Sequence, residues 1–325
     1  MKAILAYAKF VREKYTYIIL TTLVIAVVVG LFTSSPGVFI RQFNTPLIVI
    51  LIAAMSFTIT FSNLGMAARN WKGTSFGLVL SFLFAPFLCW VLALLLLSGY
   101  SELATGLILI GVVPCAGMAM MWTGLLKGDV ALAIVIEAIT MLLAPFVIPA
   151  LMSLFAGSFV TVNTWGMFQQ LIYTVLLPVL GAITLRGLLE RRVSVQKYLP
   201  IMPAISATMA VFLMFMAINT AIPSIMKNAG LIAPLVISTI LIFPILFIVA
   251  YLVSVKLFHR GTNIAITYSS GMKNLPLAIG IAVMSFKGLA SLPIAVAFAF
   301  QMLTAVTFYQ LFRRGTTEKE RQWYT

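Results

Sequence analysis

The chain has 325 residues, 62% of them hydrophobic and 9% charged. Soluble domains carry about 25% charged residues, so a water-soluble fold is excluded and lipid must be the solvent for most of the surface. A formal charge of +14 invites a nucleic-acid reading, but the positions of the basic residues give a different account.

In chain order, apolar segments fall near residues 17–34, 45–64, 73–97, 103–123, 130–155, 165–186, 199–222, 230–255, 262–286 and 289–312. Each has about 20 residues or more, enough to cross a hydrocarbon core of about 30 Å. The first run is too long for the apolar region of a cleaved signal, and many spans follow it. Ten spans put both termini on one side. The lysines and arginines fall on that side, except Arg41, Lys227 and Lys287 on the other and Lys273 within the ninth span. The positive-inside rule then makes both termini cytoplasmic in a cytoplasmic (inner) membrane, and the basic excess is topology rather than a surface for nucleic acid. The longest polar connection, 186–200, is read as a headgroup-facing cytoplasmic loop. Cys89 and Cys115 both lie in apolar segments, which argues against a disulfide framework.

Two sequence echoes point to an internal repeat. "FAPFL" at 84–88 and "IFPIL" at 242–246 each lie mid-span, and the Lys-Gly pairs 127–128 and 287–288 each precede a span. The offsets are close to half the chain. Residues 1–160 and 161–325 therefore read as two five-span repeats, the second inverted in the membrane because five is odd. Inverted repeats are characteristic of secondary transporters.

Two spans are interrupted in corresponding places. The fourth reads "LILIGVVPCAGMAMMW", with Pro114 and Gly117 near its middle, and the ninth reads "AITYSSGMKNLPLAIGIAV", with Gly271 and Pro276. Proline removes a backbone donor and glycine lowers the cost of leaving the helix. Unwound backbone at membrane depth persists only where protein or water satisfies it, so paired breaks point to a midplane binding site. Two ionisable side chains lie deep within spans, Glu137 in the fifth and Lys273 in the ninth. A charge at the bilayer centre costs about 2.5–3.5 kcal/mol on insertion scales. The economical expectation is that the two meet. The methionine-rich seventh span reads first as packing and lipid contact; the sharper alternative is that Met214, Met216 and Asn219 face a cavity that takes an amphipathic substrate, with Thr58, Thr60 and Asn63 of the second span lining the same side.

The segments "LLKGDVALAIVIEAITMLLAPFVIPAL" (125–151) and "SSGMKNLPLA" (269–278) resemble the bile acid:sodium symporter family, whose wider superfamily includes arsenite permeases. The resemblance covers essentially the whole chain. It implies an all-α integral membrane fold of ten transmembrane helices in two inverted five-helix repeats. Spans 1, 2, 6 and 7 would form a panel, spans 3–5 and 8–10 a core, and spans 4 and 9 would break and cross. It also exposes departures. The family's sodium-binding glutamate in span 9 falls at Ser269 and its glutamine at Lys273. The glutamine of span 3 falls at Ser81, a Ser-Asn pair near Ala119 and Met120, and a span 5 threonine near Glu137. The oxygen ligands left are those of Ser269, Ser270, Ser81, Thr123, Thr140 and Asn274, with an ammonium where a ligand belongs.

The expectation is a secondary transporter of a small organic anion in which Lys273 stands in for the cation and Glu137 is its counter-ion. Sodium at the family's sites is disfavoured, no cofactor or metal is implied, and the partners are the anionic substrate and the bilayer. Two alternatives stay open: an arsenite or related metalloid permease using Cys115, which "PCAGMAMMWTGLLKGD" suggests by its similarity to the arsenite permeases, and a sodium-coupled anion symporter with altered ligands. A receptor would need a soluble domain, and no cytoplasmic segment here is long enough. An enzyme would need a reactive constellation, and the one histidine, His259, sits beside Arg260 at a span end.

Overall fold

The computed structural model describes residues 2–60, 70–190, 192, 194–286 and 288–314. The predicted end of the second span with Asn63, and Lys287 of the Lys-Gly echo, lie outside the described residues. Everything described is helix, turn or irregular connection apart from one isolated bridge. The helices are α1 Lys2–Phe32, α2 Ser35–Arg41, α3 Asn44–Ser56, α4 Trp71–Leu96, α5 Ser101–Val112, α6 Met118–Leu125 and α7 Val130–Ala156. After them come α8 Thr164–Glu190, α9 Met202–Lys227, α10 Ile232–Leu257, α11 Arg260–Gly271, α12 Leu275–Ser285 and α13 Ser291–Arg314. Seven are long and apolar enough to cross a membrane, and the bent pair α2/α3, with 64° between its axes, makes an eighth. This is a multi-pass membrane protein, with Leu95, Leu154, Tyr173 and many other large apolar side chains exposed on its outer surface, as lipid requires.

Short polar caps start the helices. Asn70, Asp129 and Asn163 each accept the backbone N–H three residues on, at 3.2, 3.0 and 2.9 Å, satisfying donors that a helix start leaves free. Between caps the long helices are largely apolar around their circumference, the pattern of elements buried in lipid and protein together. Pro145 and Pro149 lie inside α7; membrane helices tolerate them because neighbouring elements re-satisfy the freed backbone groups.

Contacts between helices fix their directions. The Tyr7 hydroxyl meets that of Thr208 at 2.5 Å, and the Asn219 amide donates to the Thr33 carbonyl at 3.0 Å, so α1 and α9 run side by side in the same sense. At the end of the bundle that carries Tyr7, Asp129 N–H donates to Gly261 O at 3.0 Å and Arg260 to Phe312 O at 3.0 Å. There Arg186 also reaches the carbonyls of Phe57 and Thr58 just past α3. At the other end Leu289 N–H donates to Glu102 Oε2 at 2.8 Å.

Arg186 corrects one expectation. It is not a solvated loop charge: α8 continues to Glu190, and the guanidinium is buried, with its donors spent on α3's terminal carbonyls and on Glu190. The chain that leaves α3 carries carbonyls with no ladder partner, and a buried guanidinium supplies a charged donor to two of them.

Close packing echoes at the two interrupted helices. A Cβ on Gly111 of α5 would lie 2.6 Å from the Ala85 carbonyl oxygen and 2.9 Å from Cys89 Sγ of α4; a Cβ on Gly271 of α11 would collide with the Phe247 ring of α10. Glycine is what lets each broken helix lie against its neighbour.

Candidate functional site

The site is built where the two breaks meet. After Val112 the chain leaves the helix at Val113 and resumes it at Met118; after Gly271 it leaves and resumes at Leu275. The two unwound segments pair with each other as an antiparallel bridge between Cys115 and Lys273. Ala116 N–H donates to Met272 O and Asn274 N–H to Pro114 O, both at 2.9 Å. The breaks thus satisfy each other's backbone, which is how non-helical chain persists at this depth.

The amides of the two bridge residues are held from the following helices. Lys273 N–H donates to Gln301 Oε1 of α13 at 2.8 Å, and Cys115 N–H reaches Thr140 Oγ1 of α7 at 3.4 Å. Gln301 is the residue that sequence reasoning missed; a glutamine within the apolar run "FAFQML" was its signal. Asn274 caps α12 by accepting Leu277 N–H at 3.2 Å, and its amide approaches Met55 Sδ at 3.8 Å.

Lys273 is wholly buried. Its ammonium donates to the carbonyl of Ser81 at 2.9 Å and to that of Val113 at 3.4 Å. Ser81 lies in a π-helical turn, Leu80–Phe84, of α4; such turns disturb the i→i−4 ladder and are frequent at functional sites. Val113 ends α5, where carbonyls lack helical donors and the helix dipole favours a cation. The ammonium therefore rests on carbonyl oxygens, the surroundings of a bound cation.

The expected contact between Lys273 and Glu137 is not formed. The ion pairs among the described residues are Lys9–Glu13 and Arg186–Glu190, and both Glu137 carboxylate oxygens are buried without a hydrogen-bond partner. Carbonyls at the π turn and the α5 end satisfy the ammonium before it reaches α7. The Glu137 carboxylate lies on the far side of the first break, against Gly117: a Cβ there would be 2.8 Å from Oε1.

The remaining predicted residues sort in two. Ser81, Ser269, Ser270, Thr123 and Thr140 are all buried around the breaks. Thr123 and Thr140 turn their hydroxyls onto the Ala119 and Glu137 carbonyls of their own helices, at 2.7 and 3.0 Å. The hydroxyls of Ser81 and Ser270 have no hydrogen-bond partner among the described residues, and that of Ser269 faces the Cys115 thiol without hydrogen-bond geometry. Asn219 is the exception, because it does not line the cavity. It accepts from Gly37 N–H at 2.9 Å and donates to Thr33, tying α9 to the α1–α2 junction at the opposite end.

A cavity of about 390 Å³ lies beside the breaks. Its wall comes from α1, α3, α6, α9, α12 and α13 and carries five methionines, Met55, Met118, Met120, Met121 and Met302. Gly117, Lys273, Asn274 and Gln301 stand at it, with Tyr15 opposite. Cys115 is buried away from it. Polar groups at the breaks and thioethers elsewhere suit a small solute with one polar end.

The signature of the Sodium Bile acid symporter family matches residues 45–228, more than half of the chain. The chain belongs to the Sodium Bile acid symporter family. Three relatives illustrate its range. The "Uncharacterized protein YbaS" of Bacillus subtilis (strain 168) is 30% identical over 125 residues, 38% of this chain and 41% of the relative. The "Probable sodium/metabolite cotransporter BASS2, chloroplastic" of Oryza sativa subsp. japonica is 26% identical over 228 residues, 70% and 53%. The "Arsenical-resistance protein Acr3" of Alkaliphilus metalliredigens (strain QYMF) is 26% identical over 161 residues, 46% and 44%. The matched stretches span about half the length of these curated relatives.

Proposed function

We propose that the chain is a secondary active transporter that moves a small organic anion across the cytoplasmic membrane by alternating access. Counting α2/α3 as one crossing, and each interrupted pair α5/α6 and α11/α12 as one, gives ten crossings, both termini cytoplasmic, and two inverted repeats, 1–160 and 161–325. The similar packing of Gly111 and Gly271, and the amides of Cys115 and Lys273 each held from the next helix, support the repeat. Spans 1, 2, 6 and 7 form the panel and the others the core, with the cavity between them.

One observation carries the mechanism. The Lys273 ammonium lies on the carbonyls of Ser81 and Val113, at the position where the family resemblance puts a sodium-binding glutamine. When protonated, the side chain supplies the positive charge that a bound ion supplies in sodium-coupled relatives. Its counter-charges are the carbonyl dipoles of the π turn and the α5 end, not Glu137. The substrate enters the cavity with its anionic end toward the breaks, where the Asn274 and Gln301 amides stand. A thermal-shift screen of anionic metabolites in sodium and in choline, followed by proteoliposome uptake of the hits, tests this reading. It expects an anion that stabilises the protein and is taken up equally in both salts. Uptake that requires sodium replaces it with the sodium-coupled symporter suggested by the relatives' names.

The similarity to Acr3 supports a second reading, arsenite or a related oxyanion. Cys115 would be its soft ligand only when the break opens, since in this conformation the thiol is buried away from the cavity. An arsenite-resistance assay of the wild type and Cys115→Ser separates the two; a wild type that confers no resistance removes the metalloid reading.

A further inference from the structure

We propose that Glu137, set behind the unwound Gly117 at the cavity wall, is an exchangeable proton site. Its role in coupling rests on the transporter reading above; its existence as a proton site does not. The carboxyl group is buried in the middle of α7, and neither oxygen has a hydrogen-bond partner among the described residues. An ionised carboxylate in that setting costs several kcal/mol, and binding a proton removes the cost.

The groups packed around it do not supply a cation. The Cys115 thiol at the break is close enough to interact with it electrostatically, and it is no cation. On α4, Lys72 lies over the Trp71 ring at the helix start, and Cys89 packs against Gly111. On α5, Glu102 holds Leu289 N–H at the far end of the bundle. On α8, Tyr173 is exposed and Arg186 is bound to Glu190 and the α3 terminus. On α11, Tyr268 donates to Ala305 O and Arg260 to Phe312 O; α6 carries no titratable residue. Lys273 is committed to Ser81 and Val113.

The geometry also provides a path. Gly117 lines the cavity, and no side chain stands between it and the carboxylate, since a Cβ at that position would lie 2.8 Å from Glu137 Oε1 and 2.9 Å from Met55 Cε. A proton arriving from the cavity binds one carboxylate oxygen and leaves by the same route, so the site is open to whichever compartment the cavity faces. A fixed ammonium in the cation's seat and a titrating carboxyl beside the cavity together exchange sodium coupling for proton coupling.

Infrared spectroscopy of the full chain in lipid bilayers, with ¹³C-labelled glutamate carboxyls, reads the proton without needing a substrate. The expected result near neutral pH is a protonated-glutamate carbonyl band that is lost in Glu137→Gln, shifts promptly in D₂O and bleaches as the pH is raised. Gly117→Ala should slow the D₂O shift, because a methyl group fills the window. The absence of a protonated-glutamate band in the wild type, as for a carboxylate held ionised by the α6 N-terminus, overturns the proposal. A band that does not exchange overturns it too. Isotope labelling keeps the wild type informative if Glu137→Gln fails to fold. A positive band in a protein that transports nothing would retain the proton site and discard the coupling.

Discussion

The Lys273 ammonium lies 2.9 Å from the carbonyl oxygen of Ser81, a residue 192 positions earlier in the chain. The contact joins the second break to a π turn of α4, and the second donation to Val113 joins it to the end of α5. One buried cation thus joins three segments.

Replacing Lys273 by methionine keeps the stem and removes the charge. Hydrogen bonds to charged groups contribute about 1.5–3 kcal/mol each, and the carbonyls would be left in an apolar interior. The thermal midpoint of Lys273→Met in detergent should fall well below that of the wild type. An unchanged midpoint would show that the ammonium is not what joins the three segments.

Asn219 serves the opposite end of the bundle. Its side chain accepts from Gly37 and donates to Thr33, so Asn219→Leu leaves the buried Gly37 N–H unsatisfied at about 1–3 kcal/mol. Asn219→Asp retains the bond from Gly37 but not the donation. Chemical or thermal unfolding should rank wild type above both variants, while ligand affinity in either, measured below its melting range, stays near wild type because the residue is remote from the cavity. A selective loss of affinity would place Asn219 back among the substrate contacts.

Arg186 and Glu190 form an ion pair of unequal consequence. Arg186 is buried and also donates to Phe57 and Thr58, whereas the Glu190 side chain is 39% exposed. Glu190→Gln should cost under about 1 kcal/mol, as exposed pairs do. Arg186→Met should cost several times more, because it removes a buried donor from the Phe57 and Thr58 carbonyls just past α3. Equal effects in a side-by-side melt would mean that the ion pair, and not the cap, is what stabilises this end.

Much of this was legible in the chain. Apolar length identified a multi-pass membrane protein, and Pro114, Gly117, Gly271 and Pro276 located both breaks. The segments 125–151 and 269–278 pointed to the family that the comparison found. What the sequence could not show was which oxygen Lys273 would reach. Charge arithmetic favoured Glu137, but the carbonyls that won belong to a π turn at Ser81 and to the α5 end at Val113; Pro86, which has no N–H to donate back to the turn, was the one sign of the first. Asn219 misled for a related reason: polarity in an apolar span announces a partner without saying whether it is a ligand or a helix end. Arg186 was hidden by its neighbours, since a buried cap inside a basic cluster reads as one more topological charge.

The most direct measurement compares thermal stability and anion uptake of the wild type and of Lys273→Gln in sodium and in choline chloride. The account predicts a wild type indifferent to the exchange, and a Lys273→Gln variant that is destabilised in choline and partly restored by sodium entering the vacated carbonyl seat. A wild type that melts substantially higher in sodium, or that takes up its anion only in sodium, would contradict the claim that the ammonium already occupies the cation's place.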